Sequence, residues 1–473
     1  MKRKLLLNGF AIFLISGGIL CAQEPDTHTP TEKGDQLTTV FLNRAATVPN
    51  SPAVYVNNVT GGDCRGMVVK EGRLFFSSRK SNTEGSYEPQ IFVVDGATGS
   101  LLKEFDLPAN LYTGLTYPAN DIVVDDADNM FIANMVTAAE KVFRITYINI
   151  NVAQSTLQWS TTLSYTSSTA RRMETFDVFG DVKNGDGFIL VPVGNSDKVL
   201  KFTVTGGVAN ATPQEITIKS FYPDPANVFE TVNGFGNQPR IHIVSADRFY
   251  VEGNFRDPVL YDMEGNAVDG FQNNTALAPT SAEPKPVRDD GDDKRGGPSG
   301  VIEFELNGRH YLIVASTNTD FITPQQFDLF EFKDSEKKFS EMSRLFRFPN
   351  AGMGKNGNGY ASVSQVQIIN DGEKDKARIF IYGYRNGYGI YDFVPGTVSS
   401  TSEYTAEKLG YKVNDKTLEL TKVAECLSLY NVAGQKIQEI SNVNTIVVPT
   451  SGIFLLKVKF EDVGETTIKI VVP

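Results

Sequence analysis

Three cysteines, three histidines and a single tryptophan are spread over 473 residues, and acids outnumber bases, 56 Asp and Glu against 45 Lys and Arg. Each scarcity closes off a class of function. A formal charge of −11 and a pI near 5.0 would repel a phosphate backbone, because nucleic-acid binding needs clustered Lys and Arg to displace counterions. No Cys-x-x-Cys or zinc spacing exists, and His28, His242 and His310 stand apart from one another, so a zinc site has no ligand set. Beyond residue 22 no apolar run approaches the ~20 residues of a membrane span. What is abundant is turn and aromatic chemistry: 41 Gly, 22 Pro, 31 Phe and 18 Tyr, with 21% charged residues, the profile of a globular chain with many turns.

Lys2, Arg3 and Lys4 precede the apolar run Leu5 to Leu20, and Ala22 offers a small residue for cleavage. Residues 1–22 therefore read as a signal peptide, which predicts a secreted, extracellular or surface-attached protein. A lipid anchor on Cys21 would want a small residue before it, where Leu20 stands, so soluble export is the reading taken. Cleavage removes three bases and no acid and takes the net charge from −11 to −14. Cys64 and Cys426 remain, far apart in sequence, and read as separate thiols.

Residues 23–36 are polar and lack apolar period, which predicts a flexible leader. From 37 to 395 short apolar runs alternate with period two between Gly, Asn and Asp turns, and no helical period persists. The fold class is all-β. A strand, a polar turn and a second strand recur from residues 65, 120, 176, 240, 299 and 364, each hairpin usually followed by two more short strands. The spacing is a little longer than the roughly 40 to 50 residues of compact propeller blades. Equal four-stranded sheets with two apolar faces each can be covered by radial packing, so a six-bladed β-propeller is expected over 37–395. The sixth repeat is one strand short, and LTTVFLNRAA (37–46) is the strand expected to complete it. A Ser/Thr-rich linker (396–406) leads to residues 407–473, read as a small C-terminal β-sandwich.

YPANDIVVDDADNMFIAN followed by KVFRITYIN resembles an NHL-type propeller repeat, which implies the same architecture. In the tail, Tyr430, Asn431 and Gly434, then Gly452, Ile453 and Phe454, then Lys469 resemble the recurring signature of the C-terminal sorting domain of the type IX secretion system. That resemblance implies secretion machinery as a partner, export across an outer membrane and attachment to the cell surface. Signal peptide, degenerate propeller and tail together resemble uncharacterised secreted propellers of the Bacteroidetes.

Familiar catalytic and cofactor motifs are missing. Gly352 to Gly357 fits Gly-x-Gly-x-x-Gly but is followed by a strand pattern, where a dinucleotide site needs a helix. No Gly-x-Ser-x-Gly elbow and no sialidase Asp-box occurs, and the sole Trp is Trp159. The Asp-rich runs at 125–128 and 289–293 lack the ligand register of an EF-hand and read as solvated turns. No cofactor or metal is implied.

The unusual feature is Arg near the starts of the first strands, which in a propeller ring one mouth of the channel. Asp63, Arg65, Asn120, Asp121, Arg171, Arg172, Glu174 and Arg240, with Lys355 and Asn356 of the Gly-rich loop, are the expected ligand-binding residues. Arg recognises carboxylates with a planar, bidentate fork. The leading expectation is a propeller that binds a glycan or protein ligand without catalysis. The alternative is a saccharide or lactone hydrolase or lyase using Asp63, Asp121 and Glu174. The alternative to any site is that these Arg only neutralise neighbouring acids and hold blades together. The long connection 272–298 is read as a lid over the same face.

Overall fold

The computed structural model describes residues 26–44, 64–81, 87–115, 117–136, 142–167, 171–219, 238–253, 256–270, 295–296, 300–318, 325–333, 337–354, 362–370, 375–396, 411–414, 416–431, 434–460 and 464–472. Nearly all regular structure is β, apart from one turn of helix at Ala109–Tyr112 and a short 3-10 turn at Phe339–Glu341. The chain divides into two compact units, one holding residues 36–395 with the residues up to Pro30, the other holding 31–35 and 396–473.

In the first unit, sheets of four or more antiparallel strands follow one another along the chain. The first comprises Cys64–Lys70, Arg73–Ser81, Tyr87–Asp95 and Leu101–Asp106, and the second Tyr117–Val124, Met130–Met135, Val142–Asn151 and Thr156–Thr166. In the third, two short pieces, Arg172–Met173 and Asp177–Gly180, both pair with Gly187–Gly194, which pairs with Lys198–Thr205. The fourth runs Arg240–Ser245, Arg248–Gly253, Arg256–Asp262 and Ala267–Gly270. In the fifth, Arg295–Gly296 and Ile302–Leu306 each pair with Arg309–Asn318, which pairs in turn with Gln326–Glu331, followed by Ser343–Phe348. The sixth takes Ser362–Asn370, Asp375–Gly383 and Gly387–Val394, and its fourth strand is Gln36–Arg44, paired from Gln36 opposite Val394 to Arg44 opposite Gly387.

The period-two pattern explains why these sheets stack. Leu74 and Phe76 pack with Tyr382, Tyr388 and Ile390 of the sixth sheet, while Phe75 between them packs with Ile122, Met130 and Ile132 of the second. Phe131 and Phe143 of the second sheet share a core with Ile189 and Leu200 of the third, and Leu190 and Val199 share the next with Phe249 and Val251 of the fourth. Tyr250 then packs with Leu312 and Val314 of the fifth, and Tyr311, Ile313 and Phe327 with Ile379, Ile381 and Phe393 of the sixth. The succession of shared cores thus returns to the first sheet. The first strand of the first sheet, Cys64–Lys70, lies against both Tyr117–Val124 and Ser362–Asn370, the first strands of its two neighbours.

The leader departs from expectation. Residues 23–25 lie outside the described residues, but Asp26 and His28 are buried rather than flexible. The Asp26 carboxylate lies 3.0 Å from His28 Nε2 and accepts the Asn350 N–H at 2.8 Å and the Tyr391 hydroxyl at 3.2 Å. The His28 ring meets Phe346, Phe348 and Tyr391 edge-on. Composition missed this because the segment is held through polar partners, not through an apolar stripe.

In the second unit the strand Thr417–Asn431 pairs along one side with Lys436–Val447. Its other side takes Tyr411–Asn414 at one end and Gly452–Phe460 at the other, and Gly464–Val472 pairs with the latter. A register break between Glu419 and Ala424 separates the two ends, and Leu418, Leu427, Leu456 and Ile470 share one core. The Tyr-Asn-x-x-Gly element is the turn of a hairpin. Asn431 Oδ1 accepts the Gln435 N–H at 2.9 Å, and Gly434 takes φ +79°, a conformation that favours glycine. Lys469 lies in the strand Gly464–Val472.

Candidate functional site

Backbone irregularities at the starts of the first strands aim the predicted residues. Arg65 sits at a register shift between Cys64 and Gly66. Asn120 lies in the unpaired stretch between Tyr117 and Asp121, where Ala119 takes φ +53°. Glu174 occupies the gap between the two short first-strand pieces of the third sheet. An extra or unpaired residue bends a strand and redirects its side chains. Gly66 lets the sheets meet closely, since a Cβ there would come within 2.9 Å of Asp121 Cα and 2.6 Å of Ser77 Oγ.

These residues come together. Arg65 Nη1 lies 3.5 Å from Glu174 Oε2, and Arg172 binds the other oxygen of Glu174 through Nε and Nη2. Asn120 Nδ2 donates to the Glu174 carbonyl at 2.5 Å. Arg240 donates from Nη1 to Asp121 Oδ1 at 3.1 Å and from Nη2 to the Arg65 carbonyl at 3.3 Å. Asp121 also accepts the Phe176 N–H at 3.3 Å. Side chains from the first four sheets therefore form one charged cluster. Arg171 is drawn aside to Glu215 at 2.6 Å. Asp63, Lys355, Asn356 and the connection 272–298, apart from Arg295 and Gly296, lie outside the described residues.

The two carboxylates are interior and the cations graded outward. Asp121 and Glu174 side chains are 0% and 4% exposed, Arg240 and Arg65 11% and 12%, and Arg172 30%. Burial pushes the Asp121 carboxyl up to about 6 against the pull of Arg240 and the Phe176 N–H. Both carboxylates are already engaged by guanidinium groups.

Three further residues join the site that the first-strand reading missed. Tyr384 lies under the Arg65 guanidinium at 4.6 Å and that of Arg385 at 5.0 Å, which brings the sixth sheet to the cluster. Glu252, wholly buried, stands directly across from Arg240. Its Oε1 accepts the N–H groups of Gly300 and Val301, the second at 2.8 Å, and burial pushes its carboxyl up to about 7 despite those bonds. In an antiparallel sheet the end of the second strand lies beside the start of the first, so the hairpin returning there was the available signal.

The other motifs resolve as structure. Asp125 accepts the N–H groups of Ala127 and Asn129 and, from the next sheet, Val182 at 2.9 Å, so this acidic turn is a clasp saturated by donors. The next element among the described residues after Gly352 to Gly354 is the strand Ser362–Asn370. Cys64 and Cys426 are not joined in a disulfide, and no three His, Cys, Asp or Glu converge on a metal position among the described residues.

No family model and no curated protein matches the chain. Among solved structures, a DUF4623 family protein from Bacteroides eggerthii superposes with a TM-score of 0.50 at 15% identity, covering 71% of each chain. BamB from Moraxella catarrhalis gives 0.26 at 11% identity over 92% of this chain and 99% of its own, and the WD40 domain of SCAP from fission yeast 0.31 at 10% over 77% and 97%. The first likeness bears on the fold alone, and the other two superpositions are too loose to carry an argument.

Proposed function

We propose that the first unit is a six-bladed β-propeller whose channel mouth binds the carboxylate of a glycan or protein ligand without catalysing its turnover. The observation that carries this reading is the charge arrangement of the cluster. Among its described residues Arg65, Arg172 and Arg240 face Asp121 and Glu174, the acids lie deepest, and Arg172 presents the most exposed edge. An anion approaching this mouth meets guanidinium before carboxylate. Burial of both acids beneath the guanidinium groups counts against the hydrolase reading, which needs a carboxyl within hydrogen-bond reach of the substrate.

The same proposal takes residues 1–22 as a signal peptide and 407–473 as a small β-sandwich sorting domain, in a secreted or surface-attached protein of a Bacteroidetes-like organism. The strand Thr417–Asn431, which ends at the Tyr-Asn pair with Gly434 in the turn after it, is in keeping with the tail resemblance, whose first element is a strand ending in Tyr-Asn-x-x-Gly.

A screen of neutral and uronic-acid-containing glycans, with acidic peptides alongside, tests the ligand class. Retention of the acidic members alone is expected. Retention of neutral glycans, or cleavage of any member, would overturn it. Alanine at all of Arg65, Arg172 and Arg240 is a poor variant for this purpose, because loss of Arg240 strands Asp121 as an uncompensated buried charge. Arg172→Ala is the cleaner probe.

A further inference from the structure

Resting on the binding reading above, we infer that Glu252 sets the charge felt by Arg240 and that the site takes up a proton at Glu252 when it captures a carboxylate. The geometry singles out one oxygen. Oε1 of Glu252 is held by the amide N–H groups of Gly300 and Val301, whereas Oε2 is sealed from solvent and has no hydrogen-bond partner among the described residues. A proton added at Oε2 breaks no bond, and the carboxyl keeps its place. Directly across the hairpin, Nε of Arg240 is likewise sealed and without a hydrogen-bond partner among the described residues, while its terminal nitrogens hold Asp121 and the Arg65 carbonyl. Arg240 is thus fixed in position, and what varies is the negative charge beside it.

With Glu252 ionised, Arg240 faces two carboxylates, and its field at the mouth is cancelled. With Glu252 neutral, the guanidinium carries net attraction for an anion. Burial already places the free Glu252 carboxyl near 7, and a bound anion favours its neutral form further. Affinity must therefore rise as pH falls through the range above and around 7, by at most about one decade per pH unit for one proton. The other charged groups facing this point are His242, whose Nδ1 lies 3.5 Å from Asp177, and Asp121 beyond Arg240. Glu303 of the next sheet is taken up by Tyr250 and Lys337.

The test is calorimetric titration of the full chain with oligogalacturonate, whose carboxylates stay ionised throughout, at pH 6, 7 and 8. The wild type is expected to bind roughly tenfold more tightly at pH 6 than at pH 8. Glu252→Gln should bind tightly with the change between pH 7 and pH 8 removed, the change that remains toward pH 6 being that of Asp121, and His242→Gln should keep the wild-type profile. Should Glu252→Gln fail to fold, proton uptake by the wild type, read from the buffer dependence of the binding enthalpy at pH 7.5, serves in its place. A wild type that binds without proton uptake, or a profile abolished by His242→Gln instead, overturns the assignment and leaves the binding reading standing. A wild type that binds oligogalacturonate at no pH overturns the binding reading itself.

Discussion

Asp125 illustrates how single residues do double duty. Its carboxylate closes its own turn through Ala127 and Asn129 and reaches the Val182 N–H of the next sheet. The Asp-rich run was legible as a turn, but its second role depends on which sheet lies alongside. Asp125→Ala strands several N–H donors and should cost about 2 to 3 kcal/mol, with Asp125→Asn milder, as a urea melt would measure. Glu252 works in the opposite sense. Its folded carboxyl is held up near 7 against an ordinary 4.5, so the folded chain binds a proton the unfolded chain has released. Stability is therefore lost as pH rises from about 4 to above 7. Glu252→Gln removes that cost and should be more stable than the wild type by about 3 kcal/mol at pH 8, the difference vanishing near pH 4. Equal melting curves at pH 8 would refute the assigned burial.

At the scale of elements, the hairpin recurrence was legible because each sheet has two covered faces and alternates apolar residues toward both. The expected repeat starts at 65, 120, 176, 240, 299 and 364 fall near first strands that begin at Cys64, Tyr117, Arg172, Arg240, Ile302 and Ser362. The site was half legible. Residues at first-strand starts could be read off, whereas Glu252, Tyr384 and Arg385 reach the same end only through the return of the second strand, which periodicity does not orient. The leader was misread because Asp26 and His28 bury through polar partners. The strand Gln36–Arg44 covers the edge of Gly387–Val394. A chain beginning at residue 50 should lose its cooperative melt or aggregate through that edge. Unchanged melting would show that the strand is dispensable.

For the whole molecule, the two compact units predict separable folding. A chain ending at residue 396 should retain the cooperative transition of the first unit, since the second builds its own core from Leu418, Leu427, Leu456 and Ile470. A truncated protein that cannot fold would contradict the division. The central functional claim is that an outward guanidinium edge over satisfied carboxylates receives an anion, and it bears most directly on Arg172. Titration of the wild type and Arg172→Ala with oligogalacturonate at pH 6 measures it. The variant should bind at least about tenfold more weakly, in line with the loss of a charge-assisted contact, while its melting temperature stays within a few degrees. Equal affinity in the two proteins, or no binding by either, would contradict it.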